Sequence, residues 1–477
     1  MEPPTKFPRR EIPVTTDALT VPSPAANEAA HTGWPLLTRI SFRIAFLYFS
    51  LFVFVSRNGN LLALFPVVGG WINHWLIWLP DHASEWAGQH IFHLTGLAAH
   101  WHGTGSGDTA LNWIENGLYV VGSVAGGLVW TLASELRRGG RREYSTLHAW
   151  LRFLLRLTCG GFMLIYGFAK VFPLQMAPLS IGILNEPVGN MSPMTMLWGL
   201  IGLHPAYEVV CGLAEVIGGV LLLYRRTALA GALVSAFVVT NVVLYNFFFD
   251  VPVKLFAANL LLACLFLTVP DLRSMWDFFW RHQASAPQAT RIPPARKRWS
   301  RITLLVVEIV MACAIMILIP VFTGLGWRQN RIQTRTASPL LGAWHLDAAH
   351  PATGAFITGD GAPASDLYID TVARAFTRST DGALWRTHLD VDGKAHTVTV
   401  YPYGRDSVKY AWTMPDPQHL VLTTVPPEVP KGKGKTPPKP TAPFTAQVVS
   451  FTRTPVMAHY PLQERGFHWV NQWGYER

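Results

Sequence analysis

Seven stretches of this 477-residue chain are apolar for long enough to be read as helices that cross a bilayer: residues 36–56, 112–134, 149–171, 205–224, 228–249, 254–270 and 302–322. A crossing takes about 20 mostly apolar residues. An eighth run, 61–79, is rich in Trp but broken by Pro66, Gly69, Gly70, Asn73 and His74, and reads as a re-entrant or interfacial helix. From Pro339 onward the pattern changes to period two. Asp366–Ile369, Thr397–Tyr401, Val408–Trp412, His419–Thr424 and Ala446–Phe451 alternate or are β-branched, with Asp381-Gly382, Asp392-Gly393 and Pro415–Pro417 as turns.

The expected fold is an α-helical polytopic membrane bundle of about seven transmembrane helices followed by a small C-terminal antiparallel β domain, barrel or sandwich. The expected organisation is a disordered, Pro-rich tail over 1–35, N-terminal helices over 36–134 with a His/Trp-rich loop at 57–109, and a four-helix unit over 148–272. A basic loop at 273–301, a last transmembrane helix at 302–322 and the β domain at 338–477 complete it. Within the β domain, Lys431–Lys439 reads as a flexible basic loop and the aromatic end, Arg465–Tyr475, as a tail docked on the domain or at the membrane surface.

Composition supports this reading and excludes others. Half of the residues are hydrophobic and 14% are charged, against about 25% in a soluble protein. A disordered chain, a collagen and a coiled coil are all excluded. The net charge of +10 raises the question of nucleic acid, but the Lys and Arg residues fall in alternate loops. Arg39, Arg43, Arg137, Arg138, Arg141, Arg142, Arg225, Arg226 and Arg273–Arg301 lie on one side, whereas 172–204 has no Lys or Arg. This alternation is the positive-inside pattern. It places the N-terminus in the cytoplasm and the C-terminal domain outside an inner membrane, with the lipid bilayer as partner and no nucleic acid.

Charge inside a membrane is expensive and points to function or to packing. Arg156, Tyr166 and Lys170 share one face of the third span, and Glu208 and Glu215 one face of the fourth, with Gly212 and Gly219 between and beyond them. Depth along the helices pairs Arg156 with Glu215, and Lys170 with Glu208 or Asp250. Asn241, Asn246, Asp250 and Lys254 extend the polar set through the fifth span and its turn, and Asn259 follows in the sixth. Two readings stand side by side: ion pairs that fix helix register, or a polar pocket for a quinone, thiol or other small ligand.

Other chemistry is weaker. The 57–109 loop holds His74, His82, His90, His93, His100 and His102. Of these, His90, His93, His100 and His102 are close enough in sequence to be metal candidates, but no spacing is diagnostic and interfacial rings explain them as well. Gly103–Thr109 is Gly-rich without being a nucleotide-binding loop, and Asp108 and Thr109 are expected to cap the second span. Cys159, Cys211, Cys264 and Cys313 lie in apolar runs with no CxxC spacing and read as core thiols.

Leu155-Arg156 at the start of a span, Tyr166-Gly-Phe-Ala-Lys170 at its end and Glu215-Val-Ile-Gly218-Gly219 in the next helix resemble the DoxX-like membrane proteins. The likeness covers about 125 of 477 residues, 148–272. The family includes a subunit of a thiosulfate–quinone oxidoreductase and membrane partners of thiol-stress enzymes. The resemblance therefore implies quinone-linked or thiol/sulfur redox metabolism, quinone as the cofactor to look for, and a redox protein as partner. The additional spans and β domain depart from a minimal member. Catalysis by this chain alone is left open, because no cofactor motif is present. A small-molecule transporter is the second reading, against which no internal repeat is evident. A scaffold presenting the β domain to a partner is the third.

Overall fold

The structure is a computed structural model that describes residues 33–57, 59–103, 105–137, 143–176, 178–284, 298–347, 354–357, 362–402, 406–426, 446–457, 460 and 462. The basic Lys431–Lys439 segment, the Arg465–Tyr475 segment and residues 1–32 lie outside the described residues.

The helices are α1 (Leu36–Phe54), α2 (Pro66–Leu76), α3 (Trp78–His90), α4 (Ala110–Leu136), α5 (Ser145–Val171) and α6 (Ile181–Leu184). They continue with α7 (Pro193–Gly202), α8 (Pro205–Leu223), α9 (Ala228–Phe248), α10 (Lys254–Thr268), α11 (Leu272–Phe279) and α12 (Arg298–Arg335). Among the described residues seven helical segments are long and apolar enough to cross a membrane: α1, α4, α5, α8, α9, α10 continued into α11, and α12. The chain is a multi-pass membrane protein. The Trp-rich 61–79 run is not one continuous helix. It holds a short 3-10 turn (Leu61–Leu64) and the 11-residue α2, which at about 1.5 Å per residue is too short to span a bilayer.

Helix α5 is the axis of the bundle, with 14 buried residues. Its closest partner is α8, and glycines set that contact. A β-carbon on Gly212 would lie 2.6 Å from the Gly167 carbonyl oxygen, and one on Gly219 2.9 Å from the Gly160 carbonyl oxygen. The two backbones therefore touch at Gly160–Gly219 and Gly167–Gly212, the close approach that small residues allow in membranes.

Helix starts are tied across the sequence. Thr109 caps α4 in a reciprocal capping box with Asn112. Asp108 does not share that task. Its carboxylate accepts from the backbone N–H groups of Lys254 (2.7 Å) and Leu255 (3.0 Å), so it caps α10 instead. Between α9 and α10 the chain turns at Asp250, held at φ 54°, a left-handed conformation that Asp tolerates better than most residues.

The C-terminal part is a closed antiparallel barrel of eight strands in sequential order. They are β1 (Gly342–Leu346), β2 (Ala364–Thr371), β3 (Arg374–Ser379), β4 (Leu384–Asp392), β5 (Thr397–Tyr401), β6 (Val408–Asp416), β7 (His419–Thr424) and β8 (Val448–Thr454). Strand β1 pairs with both β2 and β8, which closes the barrel and leaves no free edge. Trp344, Phe356, Tyr410 and Phe451 fill it, each fully buried. The Trp344 indole N–H donates to the Leu340 carbonyl at 2.8 Å.

The barrel docks on the α5–α8 connection. The Ile181 N–H donates to Asp370 (2.7 Å), and the Arg378 guanidinium donates to the Asn185 carbonyl (3.1 Å) and the Glu186 carboxylate (2.9 Å). Gly182 lets α6 lie against Phe376 and Tyr368. Barrel and α5–α8 connection thus share one end of the bundle.

Candidate functional site

The charges of the third and fourth spans do meet, but with different partners from those expected. Lys170 Nζ lies 2.9 Å from both oxygens of Glu215, and both residues are buried. Arg156 donates instead to the carbonyls of Leu222 (3.0 Å) and Leu223 (2.8 Å) and to the Glu308 carboxylate on α12 (3.1 Å). The register explains the correction. With Gly160 facing Gly219, Arg156, one turn earlier on α5, is level with Leu223 rather than with Glu215. Side chains also lean toward the N-terminus of their own helix. On antiparallel helices Lys170 therefore leans down toward Glu215 while Glu215 leans up toward it, and Arg156 leans away from both.

The remaining expected partners separate. Glu208 is fully buried, but it accepts from the Met176 N–H at 3.0 Å and ties α8 to the chain leaving α5. Asp250 is exposed and forms an i,i+4 pair with Lys254 at 2.7 Å. Lys254 also approaches Asp108 at 3.9 Å, so both lie at the rim of the bundle rather than in its polar interior. Asn241 is exposed on α9. Asn259 joins Tyr48 and Asn116, accepting from the tyrosine and donating to the Asn116 oxygen at 3.0 Å, in a network that links α1, α4 and α10.

Lys170 and Glu215 stand in the wall of a cavity of about 240 Å³. Tyr166, Trp198, Tyr245 and Phe256 supply aromatic walls, Met163 and Leu260 lie among its apolar lining, and Gln175, Asn246 and Val251–Val253 contribute from the barrel side. The ammonium of Lys170 sits 5.8 Å from the centre of the Tyr166 ring. Asn246 is fully buried. Its amide N–H donates to the Val253 carbonyl at 3.3 Å, leaving Oδ1 without a partner, and Gln175 Oε1 is likewise buried and unpartnered. The cavity thus combines an ion pair, aromatic faces and two hydrogen-bond acceptors that a guest can satisfy. Of the nine residues singled out from sequence, four line it: Tyr166, Lys170, Glu215 and Asn246.

Sequence reasoning passed over Tyr245, Trp198 and Glu308. Tyr245 adjoins Asn246, and Glu308 is a lone carboxylate in an otherwise apolar span, a signal of the same kind as Glu215. Trp198 offered none, because only the folding of α7 over the bundle brings it in.

The histidine-rich loop does not converge. His90 stacks on Trp86 with ring centres 5.2 Å apart, and His82 lies against Trp78 at 4.4 Å. His102 contacts the His100 carbonyl at 2.8 Å, and His100 lies 3.8 Å from Glu85. His93 occupies a left-handed turn at φ 53°. Among the described residues no three His, Cys, Asp or Glu side chains are grouped to hold a metal. Cys159 and Cys264 are buried, Cys211 is half-buried and Cys313 is exposed on α12.

Comparison with known proteins is sparse. No family model matches the chain, and no solved structure does. One curated protein is similar, the "Uncharacterized protein YwoB" of Bacillus subtilis (strain 168), 28% identical over 156 residues, which are 33% of this chain and 99% of that protein. The likeness thus takes in nearly all of a much smaller protein and a third of this one.

Proposed function

We propose that the bundle binds a small ring-bearing ligand next to the Lys170–Glu215 pair, and that the chain supports a quinone-linked or thiol/sulfur redox process as a DoxX-like accessory component. The observation that carries this reading is the cavity itself. A buried ion pair with only a packing role needs no free space, no aromatic lining and no unpartnered acceptors beside it. Lys170 would donate to a carbonyl or anionic group, and Glu215, Asn246 and Gln175 would accept from hydroxyl or N–H groups. At about 240 Å³ the space suits a ring-sized headgroup. The orientation follows the loop charges, with the N-terminus inside and the barrel and cavity mouth outside an inner membrane.

The test is mass spectrometry of small molecules extracted from the purified full-length protein and from its Glu215→Gln variant. The expected result is a quinone or similar aromatic compound in the parent protein, lost from a variant that still folds. An empty bundle that co-purifies with another protein would refute the proposal and favour the scaffold reading.

A further inference from the structure

A second cavity of about 370 Å³ lies at the opposite end of the bundle, between α8 and α12. Its wall is apolar, formed by Leu223, Leu305, Ile309, Ala312 and Met316, and Arg225 and Arg226 stand in it at the turn after α8. Leu305 to Met316 spans 11 residues of one helix, about 17 Å at 1.5 Å per residue. That is roughly half of the ~30 Å hydrocarbon core, the depth of one leaflet. Glu308, in the same wall, is neutralised by Arg156 at 3.1 Å, so the uncompensated charge of the groove is positive and sits at one end. Among the described residues neither Arg225 nor Arg226 has an acidic partner.

We infer that this groove is a binding site for an anionic phospholipid. The phosphate sits against Arg225 and Arg226, and one acyl chain lies along α12 toward Met316. Three observations converge on a lipid rather than a soluble anion: the groove is one leaflet deep, it is apolar along its length apart from the Arg156-paired Glu308, and its cations are confined to the turn where a span ends. Basic pockets between transmembrane helices recognise lipid headgroups in this way. The bound tail fills the space between α12 and α8, and so fixes the last span, which carries the barrel, against the rest of the bundle. The inference does not depend on any ligand in the Lys170–Glu215 cavity.

Native mass spectrometry of the delipidated full-length protein, titrated with phosphatidylglycerol, phosphatidylcholine or glycerol phosphate, tests it. Phosphatidylglycerol is expected to bind at least about tenfold more tightly than phosphatidylcholine, with that preference lost in Arg225→Gln/Arg226→Gln. Ala312→Phe, which fills the groove and leaves both arginines, is expected to remove the tightly bound lipid. The inference is overturned if Ala312→Phe binds as the parent does, if the two lipids bind equally, or if glycerol phosphate alone displaces the lipid.

Discussion

The helical bundle and the barrel solve the interior problem in opposite ways. The barrel keeps charge out. Among its described residues the buried polar side chains are Thr371, Thr377, Ser379, Thr387 and Ser450, all hydroxyls. The bundle buries Arg43, Arg152, Arg156, Lys170, Glu115, Glu208, Glu215, Asp271 and Glu308, while Phe237, Phe248, Leu200 and Val129 face outward. A lipid-facing surface gains nothing from hiding apolar groups, so the interior of the bundle is where polar groups collect. In the barrel the hydrophobic effect orders the core. The difference directs the search for chemistry to the bundle.

The strongest way to break this contrast is to leave a charge unpaired. Lys170→Met strands the Glu215 carboxylate in the bundle and is expected to cost about 3–5 kcal/mol. Lys170→Met/Glu215→Leu is expected to recover most of that stability, and to lose any ligand of the cavity. Thermal unfolding in detergent measures the first effect and ligand extraction the second. A double variant that retains the ligand would reduce the pair to packing.

Trp344→Ala asks the same question of the barrel. Removing this indole from a filled core is expected to cost about 3–5 kcal/mol and to expose the barrel to protease, with the Lys170–Glu215 cavity unaffected. Loss of the cavity's ligand in this variant would show that the two regions are coupled more tightly than their separate cores suggest.

Gly212→Ala probes the register that unites the polar residues. Its β-carbon would press on the Gly167 carbonyl and on the β-carbon of Lys170, 2.7 Å away. Overpacking of this kind costs about 1–3 kcal/mol. The α5–α8 seam must part, and the Lys170–Glu215 pair lengthens with it. A variant with unchanged melting temperature would mean that the seam is looser than its glycines imply.

That register also marks where sequence stopped being informative. The seven apolar runs, the change to period two after Pro339 and strands β5 and β7 were legible because one-dimensional periodicity determines them. Strands β3 and β4 were not. Their inward positions include Ala375, Thr377, Ser379 and Thr387, small or hydroxyl-bearing residues that give a weak apolar alternation. The intramembrane charges were legible as a set but not as pairs. Pairing depends on which turn of α5 meets which turn of α8, and on the opposite lean of side chains on antiparallel helices. The glycines that fix this were visible as a stripe on α8, but Gly160 and Gly167 acquire meaning only once α8 is known to be their partner. Asp108 shows the same limit, because its place beside Thr109 suggested the nearer helix while its carboxylate serves one that begins at Lys254.

The smallest expected effect concerns the joint between the two regions. Asp370 is half-buried on the outer face of the barrel, its carboxylate covered where β2 receives α6, and this burial pushes the carboxyl above the usual range, opposed in part by Arg374 and by the Ile181 N–H. The docked state therefore holds the proton more tightly than an undocked one. By linkage, the contribution of Asp370 to docking is fully present below the ordinary carboxylate range and is lost as pH rises through its raised value. The Glu186–Arg378 ion pair holds the same joint at 2.9 Å, so a variant that changes Asp370 alone is needed to isolate the effect. Asp370→Asn keeps an acceptor for Ile181 and removes the titration. Protease cleavage within the α5–α8 connection, followed from about pH 7 to about pH 4, is expected to fall more steeply on acidification in the parent than in the variant. Parallel pH profiles would mean that Asp370 stays ionised throughout, held by Arg374, and that the joint is ionic on both sides rather than on the Glu186 side alone.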